Sequence, residues 1–141
     1  MRVLLDTNVI ISAVATRGLC SDVFRAVLSD HDLVTCRKIL HEVQRTLRSK
    51  FSVPAELIAE YVELISDDAI MAEPGGMPVV QIKDRDDVEI IAAAIAGDVD
   101  VLVTGDAELQ GLKSKQGVRV LSPRAFWEDL KAQRGDAPDG R

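Results

Sequence analysis

Arg2-Val3-Leu4-Leu5-Asp6-Thr7-Asn8 opens the chain with a short aliphatic run that stops abruptly on polar residues. An apolar stretch of this length, without alternation, reads as a buried strand. The same pattern returns at Val99 to Thr104, which ends in Thr104-Gly105-Asp106. These two stretches frame the fold. From Asn8 to Val14 the chain continues as a helix rich in aliphatics, and Ser21 to Leu28 sets Val23, Phe24, Val27 and Leu28 at helical spacing. Leu33 to Cys36 is a second strand. Arg37 to Lys50 is a helix whose buried face carries Ile39, Leu40, Val43 and Leu47.

Pro54 opens a further helix, in whose first turn a proline is tolerated, with Leu57, Ile58, Tyr61, Val62 and Ile65 on one face. Pro74-Gly75-Gly76 is a turn and Pro78 to Ile82 is extended. Asp86 with Glu89 three residues on resembles a capping box and starts a helix that runs to about Gly97. Ala107 to Leu112 is a short helix, Val118 to Leu121 a last strand, and Ser122-Pro123 begins a final helix carrying Phe126, Trp127 and Leu130. Short aliphatic strands alternating with amphipathic helices specify an α/β domain, with a mostly parallel sheet covered on both faces. At 141 residues the chain is read as a single domain over residues 1–131, with a disordered tail over 132–141.

Composition narrows the function classes. The hydrophobic fraction of 47% and charged fraction of 28% describe an ordinary globule. Cys20 and Cys36 lie outside any CxxC or Cys/His spacing, which argues against zinc and against a disulfide framework. No apolar run has the length to span a bilayer, and the N-terminus meets Asp6 before a signal-peptide core can form, so a cytoplasmic protein is expected. A net charge of −6 disfavours a general nucleic-acid binder. The distribution tempers that. Arg37 to Lys50 holds five basic residues (Arg37, Lys38, Arg45, Arg48, Lys50) against one acid, Glu42, whereas Glu56 to Glu73 holds six acids and no base.

In a parallel sheet the ligand crevice lies beyond the C-terminal strand ends, so acids standing there are the first candidates. Asp6 and Asp106 each follow a strand and emerge on the same edge if those strands run parallel. Asp87, in the first turn of its helix, is favoured there by the helix dipole. Glu42 sits inside an amphipathic helix beside Val43. Each has an ordinary reading too: Asp6 as a helix N-cap, Asp106 as a turn residue after glycine, Asp87 as one of the acids that any helix start attracts, Glu42 as a solvated residue paired with Lys38 or Arg45. Carboxylates brought together repel and raise one another's pKa values, a conflict that a hard divalent cation resolves. Oxygen-only ligation suits Mg2+ or Mn2+, and a pair of such ions serves phosphodiester hydrolysis.

The pattern resembles the PIN-domain nucleases, particularly the bacterial branch containing toxins of toxin–antitoxin pairs. Val3-Leu4-Leu5-Asp6-Thr7-Asn8 is similar to that family's first acidic signature, and Ile39 to Leu47 to its second, with Glu42 on the acidic position. Asp84-Arg85-Asp86-Asp87 leading into Ile90-Ile91-Ala92 is similar to the third, with Asp87 as the matching acid, and Leu102-Val103-Thr104-Gly105-Asp106 to the fourth. Arg85 stands where the family often has proline, which leaves Asp86 in competition with Asp87. The resemblance covers Val3 to about Trp127. It implies a three-layer α/β/α fold, cleavage of single-stranded or structured RNA with one or two Mg2+ or Mn2+ ions held by Asp6, Glu42, Asp87 and Asp106, a homodimer, and a small antitoxin partner.

Around those acids, Asn8, Thr104 and Glu108 are candidate supporting groups, and Arg45, Arg48 and Lys50 candidate contacts to the RNA backbone, in which case binding weakens with salt. His41 beside Glu42 lacks the second histidine that a zinc-protease helix needs. An aspartyl-nucleophile phosphatase would need an acid two residues after Asp6, where Asn8 stands, and a phospho-receiver would need an acidic pair before the end of the first strand. The rival reading that survives is a catalytically idle PIN-like module that binds RNA or protein.

Overall fold

The computed structural model describes residues 1–73, 85–111 and 117–135. In chain order the elements are β1 (Arg2–Leu5), α1 (Thr7–Ala15), α2 (Leu19–Asp30), β2 (Asp32–Thr35), α3 (Arg37–Phe51), α4 (Ala55–Asp68), β3 (Ile70–Met71), α5 (Arg85–Ala96), β4 (Val101–Val103), α6 (Ala107–Gln110), β5 (Arg119–Leu121) and α7 (Pro123–Gly135). The five strands form one sheet in the order β3-β2-β1-β4-β5, and every pairing is parallel. Helices flank it in a three-layer α/β/α arrangement.

The sheet is organised from its centre. β1 and β4 lie side by side with Val3 opposite Val101, Leu4 opposite Leu102 and Leu5 opposite Val103, and all six side chains are completely buried. Strands covered on both faces carry no polar alternation, which is why these runs are uniformly aliphatic. Each such side chain contributes about 1.5–3 kcal/mol through burial. Chain order runs outward from β1 to β2 and β3, then returns to the other side of β1 with β4 and β5. That reversal makes the C-terminal ends of β1 and β4 the switch point, where an open α/β sheet leaves a crevice.

The structure differs from the sequence reading in three elements, with a physical cause evident at β3 and α7. β3 has only two residues, aligned with Val34 and Thr35 of β2; it owes its conformation to that backbone pairing, and two residues present no period to read. α2 extends two residues beyond its apolar core at each end. α7 runs to Gly135, so 132–135, expected to begin a disordered tail, are helical: Leu130 is buried, and the Lys131-Ala132-Gln133 stretch of good helix formers carries the helix on. The Pro74-Gly75-Gly76 turn, the extended stretch from Pro78 to Ile82, Leu112 and the tail from Asp136 lie outside the described residues.

The end of α5 is packed against the sheet more closely than any side chain permits. A Cβ on Gly97 would stand 2.7 Å from Val34 Cγ1, 3.1 Å from the Ala93 carbonyl oxygen and 3.2 Å from Ala72 Cβ. Val34 is β-branched and fully buried in a sheet strand, so it has little room to yield. Gly97→Ala is therefore expected to lower stability by about 1–3 kcal/mol, beyond the few tenths regained from a stiffer unfolded chain. Urea unfolding would show this as a lower midpoint with unchanged slope; an unchanged midpoint would mean that α5 shifts freely on β2.

Candidate active site

Asp6 is the first residue beyond β1, and its N–H donates to the Val103 carbonyl at 2.9 Å, which extends the ladder by one step before the backbone turns into α1. In this position Asp6 is the N-cap of α1, its Oδ1 accepting the Thr7 N–H at 2.7 Å. The cap fixes the carboxylate at the strand end. On the neighbouring strand Thr104, fully buried, holds its backbone by donating N–H to the Leu121 carbonyl, and its Oγ1 donates to Asp6 Oδ2 at 2.7 Å. The same Thr104 oxygen accepts the Asp106 N–H at 3.0 Å. Gln110 Nε2 donates to the Thr104 carbonyl at 2.6 Å. Asp106 in turn caps α6, with Oδ1 accepting the Glu108 N–H at 2.8 Å and the Leu109 N–H at 3.4 Å.

On the other side of Asp6, buried Thr7 donates its Oγ1–H to Glu42 Oε1 at 2.8 Å. Thr7 thus joins α1 to α3 across 35 residues. Glu42 also receives the Lys38 ammonium, Nζ to Oε2 3.4 Å, and that ammonium reaches Glu89 Oε2 on α5 at 2.9 Å. Asp87 lies half-buried in the first turn of α5, two residues before Glu89, and is engaged in a polar interaction of its own. The structure therefore brings Asp6, Glu42 and Asp106 into one hydrogen-bonded network through two threonines, and the Lys38–Glu89 pair draws the start of α5 to the same edge. The choice between Asp86 and Asp87 turns on the Asp86 side chain, which lies outside the described residues.

Burial is the main influence raising the Asp6 carboxyl above its usual value near 3.8. The hydrogen bonds from Thr104 and Thr7 pull it down, and the charges of Asp106 and Glu42 push it up again. That coupling places three carboxylates within electrostatic reach of one another, the situation a divalent cation relieves. Among the described residues no three Asp, Glu, His or Cys side chains are drawn close enough to grip an ion as they stand; their oxygens are turned to the threonines, the caps and Lys38. The donor set itself, all carboxylate and hydroxyl oxygen, fits a hard cation such as Mg2+ or Mn2+. Cys36, at the N-cap of α3, is buried, and its burial pushes the thiol up, which disfavours the thiolate.

The supporting residues divide. Thr104 is fully engaged with Asp6. Asn8 is exposed in the first turn of α1, and exposed Glu108 joins the network through its backbone N–H. Arg45, Arg48 and Lys50 are exposed along α3, and Arg45 and Arg48 line an open pocket of about 340 Å³ together with His41, Gln44 and Ser49. Neither Thr7 nor Glu89 was assigned to the site from the sequence, where Glu89 stands as the capping-box partner of Asp86. The signal that could have found Thr7 is its place between Asp6 and Asn8; Glu89 carries none beyond its spacing from Asp86.

A model of the PIN domain matches residues 2–108, three quarters of the chain and all four acids. The chain belongs to the PIN-domain family. PIN domains are in general nucleases, and typically use divalent metals. In fold this PIN domain is similar to the crystal structure of VapBC2 from Rickettsia felis bound to a DNA fragment from their promoter, with a TM-score of 0.60 over 86% of this chain and 98% of that one. At 14% identity that likeness is one of fold. No curated protein matches the chain in sequence. Among the described residues no helix is long and apolar enough to cross a membrane.

Proposed function

We propose that this PIN domain is a divalent-metal-dependent endoribonuclease and the toxin of a toxin–antitoxin pair. Its substrate is single-stranded or structured RNA, its setting the cytoplasm, and its assembly a homodimer with a small antitoxin as partner. The observation that carries the reading is the coupling of Asp6, Glu42 and Asp106 at the sheet's switch point, where burial and two like charges oppose the ionisation of Asp6. Asp6, Glu42, Asp87 and Asp106 would hold Mg2+ or Mn2+, one ion or two. When bound, the metal supplies charge neutralisation at the phosphodiester and activation of water.

The chain's own residues do the rest. Thr7 and Thr104 hold the Glu42 and Asp6 carboxylates at the sheet edge by hydrogen bonds at 2.8 and 2.7 Å. Buried β1 and β4 hold Asp6 and Asp106 at a rigid edge. Arg45 and Arg48, exposed on α3, the helix that also carries Glu42, offer positive charge to the RNA backbone. Hydrolysis by activated water leaves a 5′-phosphate and a 3′-hydroxyl. The likeness in fold to VapBC2 supports the toxin assignment.

The test is cleavage of end-labelled RNA with Mn2+ by the wild type, by Asp106→Asn and by wild type with chelator. The variant is expected to cut on the order of 10²-fold more slowly and the chelated sample not at all. Cleavage by all three alike would overturn the assignment, and metal binding without cleavage by wild type would favour an idle binding module.

A further inference from the structure

We propose that Lys38 is a tethered counter-ion of the acid cleft: its ammonium spans Glu42 and Glu89 and competes with a divalent cation for Glu42. The inference rests on the metal-dependent reading above and assigns positioning roles to two residues outside the four acids. Glu42 is tied at both oxygens, Oε1 by the Thr7 hydroxyl at 2.8 Å and Oε2 by Lys38 Nζ at 3.4 Å. For Glu42 to turn Oε2 to an ion, Lys38 must withdraw. Glu89 gives it a place to go, since the contact to Glu89 Oε2 is already the shorter at 2.9 Å.

Helix stability does not account for a lysine here. Lys38 stands in the first turn of α3, a turn without an acid, where the helix dipole disfavours a cation. Its pairing with Glu42 places the base four residues before the acid, the weaker order for such a pair. Both local preferences oppose the residue. The acids of α3 and α5 are what favour it, and the contact ties the start of α5, with Asp87, to the edge where Asp6 and Glu42 meet. A cation held on a flexible stem neutralises that edge when no metal is bound and moves aside when one arrives.

Calorimetric titration with Mn2+ at pH 7, together with melting curves, tests this in the full chain. Lys38→Met is expected to bind Mn2+ roughly three- to tenfold more tightly, because a like charge close to the ion is removed. Its metal-free form should melt lower and its metal-induced rise should be larger, whereas a merely structural ion pair would lower both states equally. Lys38→Arg keeps the charge and should bind as wild type. Glu89→Gln removes the shorter of the Glu42 and Glu89 contacts, shifts the ammonium toward Glu42 and should bind more weakly, and the double variant Lys38→Met, Glu89→Gln no more weakly than wild type.

An unchanged or weaker affinity for Lys38→Met would overturn the proposal, as would a double variant as weak as Glu89→Gln, which would make Glu89 a direct ligand. If Lys38→Met fails to fold, equal affinities for Lys38→Arg and Glu89→Gln would overturn it instead. Wild type that binds no Mn2+ would overturn the metal-dependent reading itself, a result distinct from the others.

Discussion

Asp6→Asn is expected to reduce RNA cleavage on the order of 10³-fold and, in the same protein, to raise the metal-free melting temperature at pH 7 by about 2–4 °C. The first effect follows from the place of Asp6 at the centre of the network. The second follows from its pKa. Burial, and after it the charges of Asp106 and Glu42, hold the folded-state value above the unfolded value near 3.8. A group of this kind binds its proton more tightly in the folded protein, so its contribution to stability is fully present below pH 3.8 and is lost as pH rises through the folded value. At neutral pH the carboxylate is a burden on the metal-free fold.

Asparagine removes the charge and keeps most of the bonding. Its amide oxygen accepts the Thr7 N–H, and its amide nitrogen donates to Thr104 Oγ1, which uses one lone pair for the Asp106 N–H. One neutral bond is rearranged against relief of a half-buried charge and two repulsions. Melting curves from pH 4 to 8 in chelator should fall less steeply for the variant than for wild type, and added Mn2+ should invert their order by stabilising wild type alone. A variant that melts lower than wild type at pH 7 in chelator would show that the hydrogen bonds outweigh the charge, and one that cleaves RNA normally would remove Asp6 from the site. Stability gained where activity is lost is the expected mark of a site strained for function.

The placement of Asp6 and Asp106 on one edge of the sheet was legible in the sequence because the strands before them are. Val3 to Leu5 and Val101 to Val103 read as buried strands from their aliphatic runs alone, and parallel pairing then sends both chain ends to one edge. Two readings of each acid stood as rivals, helix cap or turn residue against site residue, and the geometry makes them compatible: the cap is what aims the carboxylate. What stayed illegible depends on contacts between elements. Thr7 meets Glu42 only because α1 packs on α3, and Glu89 meets Lys38 only because α5 returns to the edge from which α3 departs. Helical spacing does place Lys38 one turn from Glu42, but it cannot tell a surface pair from one that bridges to a second helix. β3 is set by its partner strand, with Met71 left exposed, and so has no apolar signature of its own.

Thr104→Val is expected to slow cleavage about 10- to 100-fold near neutral pH, with a larger loss at lower pH, although valine matches threonine in shape. The strand should survive the change, since both residues are β-branched and the backbone bonds to Leu121 and from the Gln110 side chain do not involve the hydroxyl. Two other bonds are lost. Asp6 Oδ2 loses the donor that does most to offset its burial, so its folded pKa moves further above 3.8 and the ionised fraction at mildly acidic pH falls. The acid limb of the pH–rate profile should therefore shift upward. The Asp106 N–H loses its acceptor, which costs about 1–3 kcal/mol where water cannot replace it and loosens the cap that aims Asp106. Melting temperature should fall accordingly, the opposite sign to Asp6→Asn.

Thr104→Ser restores the hydroxyl without the methyl and should return both the acid limb and most of the rate, which distinguishes a hydrogen-bonding role from a packing one. An acid limb that stays in place in Thr104→Val would mean that the threonine does not govern Asp6 ionisation. A serine variant as slow as the valine one would locate the effect in the lost methyl. The upward shift with valine and its return with serine would identify Thr104 as the group that keeps a half-buried carboxylate ionised beside two others.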